Sequence, residues 1–308
     1  MPDKPVADPN DPLEPSPGVP SKKRSLVHRS ISTAFLVAIL VFAFWFSQDW
    51  IYLALFAVFS LGALIEYFRL FSIPGFRRFR WQAYGVAGAY LALLFAPLWG
   101  FEAAWLADLD GLALALLVIL VIGERLRYPL EGFRTLDEIA ATVFGFVYCV
   151  LLFSFIPKIL MLPLVDANGD PSSSVYIVYL VAITKLTDAG AYLVGSMIGR
   201  HKMVPHVSPG KTWQGFGGAI LFALVGSFAL YFGIGDRIPL ITPVHAAVLA
   251  VLLALVAVLG DLAESILKRS LEVKDSGHLM PGIGGFLDLI DSVVFTAPVF
   301  YLYLLIFT

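Results

Sequence analysis

The run that closes the sequence reads Phe286-Leu-Asp-Leu-Ile-Asp-Ser-Val-Val-Phe-Thr-Ala-Pro-Val-Phe-Tyr-Leu-Tyr-Leu-Leu-Ile-Phe307. At about 1.5 Å per residue, a helix of this length crosses the hydrocarbon core of a bilayer, which is about 30 Å thick. Asp288 and Asp291 stand three residues apart near its start, so that they share a face of the helix. The run therefore predicts a membrane-spanning helix that carries two carboxylates at one membrane surface.

The whole chain has the composition of a membrane protein. Of its 308 residues, 59% are hydrophobic and 14% are charged, against about 25% charged in typical soluble proteins. This composition excludes a water-soluble fold and predicts membrane lipids as the surroundings. The net charge of −2 argues against nucleic-acid binding, because no dense basic surface is available to release phosphate counterions. The single cysteine, Cys149, lies in an apolar run and is predicted to be a packing residue.

Nine apolar runs, separated by charged or Gly/Pro-rich breaks, predict an all-α, polytopic bundle of about nine membrane-spanning helices. Residues 1–24 are rich in proline and acidic residues and contain no aromatic residue, which predicts a disordered tail before a membrane domain at 25–308. The fourth run is short for a full crossing and must use flanking residues, tilt or pack inside the bundle. The nine runs are 31–47, 51–71, 84–100, 112–123, 139–162, 176–199, 215–233, 244–260 and 286–307.

The positions of lysine and arginine predict the orientation of these helices, because both residues favour the cytoplasmic side of a membrane. With nine spans and a cytoplasmic N-terminus, the loops opposite the cytoplasm contain only Lys158 and Arg237. We therefore expect a multi-pass protein of the cell inner membrane or plasma membrane, with its C-terminus outside. The predicted cytoplasmic set is Lys22, Lys23, Arg24, Arg29, Arg69, Arg77, Arg78, Arg80, Arg125, Arg127, Arg134, Arg200, Lys202, Lys211, Lys268, Arg269 and Lys274.

Polar residues within or next to the apolar runs concentrate between residues 180 and 292, which is the predicted catalytic part. A charge near the bilayer centre costs about 2.5 kcal/mol or more, so such a cluster usually marks a site. Asp261 and Glu264 are three residues apart, as are the two carboxylates of the last run. Together these four carboxylates predict an oxygen-rich pocket suited to Mg²⁺ on the cytoplasmic side. The alternative is that Asp261 and Glu264 form neutralising ion pairs at the end of a helix.

The segment Ser208-Pro-Gly-Lys-Thr212 resembles the end of a nucleotide-binding P-loop, but a proline stands where the leading glycine is required. We therefore reject a P-loop. Lys211 still offers a cation, and Thr212 a hydroxyl, to a phosphate at the N-terminus of the following helix. The alternative is that Lys211 is one more cytoplasmic basic residue. Asp188 lies within an apolar run and is expensive to bury unless it is paired, for which Lys185 is available.

Residues 180–292 resemble the signature of the phosphatidate cytidylyltransferases, also called CDP-diacylglycerol synthases. Three positions depart from the family pattern: Ile283 stands where the family commonly has His, Leu289 where it has Arg, and Gln214 where it has Glu. The resemblance is carried by Asp188-Ala-Gly-Ala-Tyr192, Ser208-Pro-x-Lys-Thr-Trp213, Gly260-Asp-Leu-x-Glu-Ser265, Lys268, Arg269, Lys274, Asp275, Gly277, Pro281, Gly282, Gly284, Gly285, Asp288 and Asp291.

This resemblance implies the transfer of a cytidylyl group from CTP to phosphatidic acid, which gives CDP-diacylglycerol and pyrophosphate. The lipid phosphate is already an anionic nucleophile, so the protein would act by positioning and charge neutralisation. Mg²⁺ is the expected cofactor, and a second cation, monovalent or divalent, is left open. A homodimer is left open as well.

The resemblance also implies roles for individual residues. Asp261 and Asp288 are predicted as the main Mg²⁺ ligands and as catalytic residues, and the supporting carboxylates are Asp188, Glu264 and Asp291. The other predicted catalytic residues are Lys274 and Asp275, and the predicted substrate-binding residues are Ser208, Lys211, Thr212, Lys268, Arg269, Gly284 and Gly285.

Two other functions stay open on the sequence alone. A membrane enzyme that uses CTP to phosphorylate a lipid alcohol or polyprenol would release CDP instead of pyrophosphate. A transporter is the less favoured alternative, because it would have polar residues spread through the membrane core in both halves of the chain. Here the polar residues concentrate towards the C-terminal part.

Overall fold

The computed structural model describes residues 49–101, 103–273 and 285–308, and these residues form a mostly helical protein. The predicted tail at 1–24 and the first predicted span at 31–47 lie outside the described residues. The helices are α1 (Asp49–Leu70), α2 (Arg80–Leu94), α3 (Leu109–Arg125), α4 (Phe133–Phe146), α5 (Phe155–Leu160), α6 (Ser173–Ile198), α7 (Trp213–Ile234), α8 (Pro243–Ser270) and α9 (Phe286–Phe307).

Within the described part of the chain, seven helical segments are long and apolar enough to cross a membrane. Each of them coincides with one of the predicted apolar runs, which confirms a polytopic helical architecture. The segments are Trp50–Leu70, Ala104–Arg125, Phe133–Leu160, Ser173–Ile198, Trp213–Arg237, Pro243–Ser270 and Phe286–Phe307.

The run at 84–100 differs from its prediction. Its helix, α2, ends at Leu94, and a 3₁₀ turn at Ala96–Trp99 follows. Pro97 has no N–H group with which to continue the helical ladder to the carbonyl of Leu93, and this accounts for the early end of the helix. The 15 residues of α2 extend about 22 Å, which is less than the thickness of a bilayer core.

Two of the long segments contain turns that are not α-helical. A 3₁₀ turn, Ala104–Asp108, precedes α3 and supplies the length that the short fourth run lacks. A π-helical turn, Val147–Leu151, lies between α4 and α5. The hydroxyl of Ser60 on α1 donates a hydrogen bond to the carbonyl of Cys149 in this turn at 2.9 Å. Cys149 is fully buried, which confirms its predicted role in packing.

A two-stranded antiparallel hairpin, which the sequence did not predict, connects α6 to α7. Its strands are β1 (Lys202–Val204) and β2 (Ser208–Thr212). The glycine and proline of β2 interrupt the alternation of apolar and polar residues that indicates a strand. Thr212 ends the hairpin and caps α7, because its hydroxyl accepts a hydrogen bond from the N–H of Gly215 at 3.1 Å.

Glycines allow α6 and α7 to pack closely. A Cβ atom added at Gly190 on α6 would lie 2.6 Å from the carbonyl oxygen of Gly218 on α7. Small residues at such contacts are a common means of helix association in a bilayer, where burying apolar surface gives little net gain. Large apolar side chains on other faces stay exposed, for example Ile119 on α3 and Val225 on α7, as expected of lipid-facing positions.

Long-range contacts identify the two ends of the bundle. At one end, Glu66 near the C-terminus of α1 binds the backbone of Leu287 at the start of α9. The C-terminal part of α8 lies at the same end, against the start of α9. At the other end, Asp110 at the start of α3 pairs with Lys158 on α5. The residues predicted to form the site therefore meet at the end of the bundle where α9 begins.

Candidate active site

Three carboxylates from two helices come together where the C-terminal part of α8 meets the start of α9. Oxygen atoms of Asp261, Glu264 and Asp291 all lie within 4.8 Å of one another. Asp261 and Glu264 lie about one turn apart on α8, and Asp291 reaches them from α9. The side chain of Glu264 is 4% exposed and that of Asp261 is 42% exposed. The three residues, which we call the carboxylate cluster, are thus accessible from the side of Asp261.

Gly260 sets the distance between these two helices. A Cβ atom at this position would lie 2.7 Å from the carbonyl oxygen of Asp291 and 3.0 Å from the Cα atom of Ser292. Both neighbours belong to the backbone of α9, so a larger residue would push the helices apart. Gly260 immediately precedes Asp261, and its small size therefore keeps α8 and α9 close at the level of the carboxylate cluster.

Lys211 connects the hairpin to the carboxylate cluster. Its Nζ atom lies 3.0 Å from Oδ2 of Asp261 and donates a hydrogen bond to the carbonyl of Val258 at 3.3 Å. Two predicted phosphate-binding residues share its strand, namely Ser208, which is partly buried, and Thr212, whose hydroxyl caps α7. Lys211 is thus next to the cluster, and the roles of all three residues in binding phosphate stay predictions.

Lys268 bridges two carboxylates on different helices. Its Nζ atom lies 2.8 Å from Oε2 of Glu264 and 2.6 Å from Oδ1 of Asp288. The second oxygen of Asp288 accepts a hydrogen bond from the backbone N–H of Gly285 at 2.9 Å, which caps the start of α9. Asp288, predicted as a main ligand, is therefore held by a lysine and a backbone N–H. Asp291, predicted as a supporting residue, is the one that joins the carboxylate cluster.

A further lysine and carboxylate lie on α6. The Nζ atom of Lys185 is 3.5 Å from Oδ2 of Asp188 and donates a hydrogen bond to the carbonyl of Leu289 at 3.0 Å. The hydroxyl of Ser292 donates to Oδ1 of Asp188 at 3.2 Å. These contacts fasten α6 to the start of α9. Leu289, which stands where the family commonly has arginine, packs its side chain into the apolar core and is 7% exposed.

Carboxylates outnumber lysines in this region. With every group ionised, the five carboxylates and three ammonium groups among the described residues carry a net charge of −2. Oε1 of Glu264 is buried and has no hydrogen-bond partner among the described residues. Buried charge of this kind is costly unless a cation balances it. The groups counted are Asp188, Asp261, Glu264, Asp288 and Asp291, with Lys185, Lys211 and Lys268.

The chemistry and spacing of the carboxylate cluster fit Mg²⁺, a hard cation that prefers oxygen ligands. Opposite ligands of an octahedral Mg²⁺ lie about 4.2 Å apart, because each metal–oxygen distance is about 2.1 Å. This separation is close to the 4.8 Å within which the cluster oxygens lie. The two unbalanced negative charges also match one divalent cation.

The remaining predicted site residues lie at the edges of this region. Arg269, near the end of α8, is exposed. Gly285 immediately precedes α9 and binds Asp288 through its N–H, as described above. The roles of both residues towards substrate stay predictions. Seven positions that the resemblance names lie outside the described residues, namely Lys274, Asp275, Gly277, Pro281, Gly282, Ile283 and Gly284.

Sequence reasoning gave no role to two residues that organise the site. Glu66 on α1 is 1% exposed and accepts a hydrogen bond from the N–H of Leu287 at 2.9 Å. A carboxylate within an apolar run was the available signal. Gln214, noted only as a departure from the family pattern, accepts hydrogen bonds from the N–H groups of Arg200 and His201, both at 3.1 Å. It therefore holds the turn that leads into the hairpin.

Comparison with known proteins extends the match beyond the site. A sequence model described as the cytidylyltransferase family matches residues 27–307, which is nearly the whole chain. The match includes the N-terminal helices, where the sequence alone offered only a general hydrophobic pattern.

Individual relatives cover much of the chain. An uncharacterised protein of Escherichia coli, YnbB, is 35% identical over 269 residues, which cover 83% of this chain and 79% of that protein. A phosphatidate cytidylyltransferase of Bacillus subtilis is 32% identical over 82% of this chain and 88% of its own. A phosphatidate cytidylyltransferase of Haemophilus influenzae is 35% identical over 62% and 63% of the two chains.

Proposed function

The chain belongs to the cytidylyltransferase family and is a nucleotidyltransferase, and we propose that it transfers the cytidylyl group of CTP to phosphatidic acid. The products are CDP-diacylglycerol and pyrophosphate. The observation that carries this proposal is the carboxylate cluster flanked by three lysines, because it provides both a cation site and phosphate-binding charges at one end of the helices. The names of the bacterial relatives support the choice of the lipid substrate.

The reaction requires one bond to form and one to break. An oxygen of the phosphatidate phosphate bonds to the α-phosphorus of CTP. The bond between this phosphorus and the oxygen that leads to the β-phosphate breaks, and pyrophosphate leaves with the electron pair. Since the attacking oxygen is already anionic, the protein needs no base to activate it, and its contribution is positioning and charge neutralisation.

We propose that Asp261, Glu264 and Asp291 hold the catalytic Mg²⁺. When bound, the ion neutralises negative charge that develops on the phosphate oxygens. Asp261 is the ligand that faces the accessible side, and Glu264 and Asp291 hold the buried side of the site. Asp188 supports this set through Ser292, which neighbours Asp291.

The lysines have distinct proposed roles. Lys211 lies beside Asp261 on the accessible side, where it can bind a triphosphate oxygen as the nucleotide arrives. Lys268 bridges Glu264 and Asp288 and balances part of their combined negative charge. Arg269 extends from the end of the same helix, is exposed, and is positioned to attract the anionic headgroup of the lipid.

The site faces the cytoplasm in our proposal, where CTP is available. The lysines and arginines of the described chain concentrate at the end of the bundle that contains the carboxylate cluster, and such residues favour the cytoplasmic side. We propose further that the chain crosses the membrane about nine times and that its C-terminus lies outside. The acyl chains of the substrate then stay in the bilayer while its phosphate reaches the site.

The test is product analysis with the purified full-length protein in lipid nanodiscs. Incubation with CTP, Mg²⁺ and phosphatidic acid should yield CDP-diacylglycerol and pyrophosphate in equal amounts, and omission of any one component should abolish both products. Release of CDP together with a phosphorylated lipid alcohol would instead identify a CTP-dependent lipid kinase. Absence of any lipid product from phosphatidic acid would overturn the proposed substrate.

A further inference from the structure

Glu66 links the first described helix to the start of the last one. It lies on α1, it is 1% exposed, and its Oε2 atom accepts a hydrogen bond from the N–H of Leu287 at 2.9 Å. A backbone hydrogen bond from Phe286 reaches the same carboxylate. The first N–H groups of a helix have no partner within the helix, and a carboxylate placed there also interacts favourably with the helix dipole. Glu66 therefore caps α9 from another helix.

The contact between Glu66 and Gly285 is close. A Cβ atom added at Gly285 would overlap Oε2 of Glu66 and lie 2.8 Å from its Cδ atom. A larger residue at this position would therefore displace the carboxylate of Glu66. The N–H of Gly285 meanwhile donates to Asp288, so two carboxylates, one from α1 and one from α9 itself, hold the first turn of the helix.

A neutral side chain would be a cheaper cap than a buried carboxylate. Serine, threonine and asparagine cap helices well, whereas burial of a carboxylate within a membrane protein is costly. Oε1 of Glu66 is buried and has no hydrogen-bond partner among the described residues, so part of this cost is not recovered by hydrogen bonds. A carboxylate at this position interacts favourably with the dipole of α9, the helix whose first turns carry Asp288 and Asp291.

We propose that Glu66 is a positioning residue of the active site: it fixes the first turns of α9, so that Asp288 stays on Lys268 and Asp291 meets Asp261. This inference rests on the proposed Mg²⁺ site for both of its readouts, and on the proposed reaction only for the readout of activity. The contacts form a continuous path along α9. Glu66 binds the backbone of Leu287, and the neighbouring Asp288 binds Lys268 at 2.6 Å. Asp291 lies one turn further along the same helix.

The test compares Glu66→Gln and Glu66→Asp with the wild-type protein. Glutamine keeps the size of the side chain but has one acceptor oxygen and no charge, whereas aspartate keeps the charge on a shorter side chain. For Glu66→Gln we expect the half-saturating Mg²⁺ concentration to rise about tenfold, as is typical when a residue that orients metal ligands is changed. Glu66→Asp should restore part of this loss.

Two readouts are measured on each protein. The first is the Mg²⁺ dependence of pyrophosphate release. The second is the Mg²⁺ concentration that raises the midpoint of thermal unfolding, which requires no turnover. Glu138→Gln is the matched control, because Glu138 is a fully buried glutamate at the same end of the bundle that pairs with Arg125 on α3. It should lower the unfolding midpoint and leave both half-saturating concentrations unchanged.

The outcomes separate this inference from the proposed function. If Glu66→Gln lowers the unfolding midpoint and leaves both Mg²⁺ dependences as in the wild type, Glu66 is only a structural cap and the inference is wrong. If the wild type forms no pyrophosphate but Glu66→Gln still weakens the thermal response to Mg²⁺, the positioning role stands and the proposed reaction fails.

Discussion

Two clusters of buried charges lie at the same end of the bundle and differ in how their charges are matched. In one of them, Glu138 on α4 is fully buried and pairs with Arg125 at 3.2 Å, while Arg77 and Arg134 approach it at 3.8 Å and 3.9 Å. Arg125 also donates hydrogen bonds to two backbone carbonyls and to the hydroxyl of Thr135. We call the ion pairs formed by Arg77, Arg125, Arg134, Glu131 and Glu138 the arginine cluster.

The carboxylate cluster has the opposite balance. Among the described residues in and around it, five carboxylates outnumber three lysines. A buried charge that loses its partner destabilises a fold, and the same cost applies to buried carboxylates that no cation balances. The comparison teaches that the balance of charge, more than burial, distinguishes a ligand site from a structural ion pair in this protein.

The largest expected effect is on catalysis. Asp261→Asn removes a carboxylate ligand from the carboxylate cluster and also removes the charge partner of Lys211. We expect pyrophosphate release to fall about 1000-fold, since a catalytic metal contributes several kcal/mol and each 1.36 kcal/mol is worth a factor of ten. The folded protein should be recovered in normal yield. The matched control is Asp110→Asn at the other end of the bundle, which pairs with Lys158 and should leave activity intact.

The next effect is on stability. Glu138→Gln leaves the buried guanidinium of Arg125 without its counter-charge, which should lower the free energy of unfolding by about 3 kcal/mol. Thermal unfolding in detergent would measure the loss, and activity per folded molecule should not change. A fall in activity that exceeds the fall in folded protein would show that the arginine cluster also serves catalysis.

A smaller effect is expected where the helices of the carboxylate cluster touch. Gly260→Ala places a Cβ atom against the backbone of Asp291 and should destabilise the protein by about 1–3 kcal/mol through overpacking. Because it moves Asp261 away from Asp291, pyrophosphate release should fall about tenfold as well. Gly217→Ala is the control, since its Cβ atom would meet nothing within 4 Å. If the two variants have the same stability and the same rate of pyrophosphate release, Gly260 does not set the distance between α8 and α9.

The smallest expected effect is on the way the stability of the protein depends on pH. Glu131 lies between α3 and α4, and its hydrogen bond from Arg77 holds the pKa of Glu131 below its ordinary value of 4.5. A lowered pKa contributes stability that is present above this ordinary value and is lost as the pH falls through the pKa of the folded protein. Glu131→Gln should therefore be slightly less stable than the wild type at pH 7, and the difference should vanish once the pH falls below the lowered pKa of Glu131. A difference that persists in acid would show that the contact does not depend on the charge.

Much of the helical architecture could be predicted from the sequence, because long apolar runs reflect local physics. The seven candidate spans agree with runs read from composition. The early end of α2 at Leu94 and the hairpin at 202–212 were missed. A proline at the end of an apolar run and a short polar strand leave the hydrophobic pattern almost unchanged, so neither was visible in it.

The sequence predicted which residues belong to the candidate site better than it predicted how they are arranged. The three-residue spacings placed Asp261 with Glu264 and Asp288 with Asp291, but they could not tell which aspartate of α9 joins the carboxylate cluster. That choice depends on the approach of the helices at Gly260. Glu66 could not be assigned at all, since its partner Leu287 is 221 residues away in the chain and no local pattern joins them.

The most direct test of the central claim is to count bound divalent ions. Mn²⁺, which binds the same oxygen ligands as Mg²⁺, can be titrated into the purified protein and followed by electron paramagnetic resonance. A cation site in the carboxylate cluster predicts at least one tight site in the wild type and in Glu138→Gln, and its loss in Asp291→Asn. Equal Mn²⁺ binding by Asp291→Asn and the wild type would contradict a catalytic cation held by Asp261, Glu264 and Asp291.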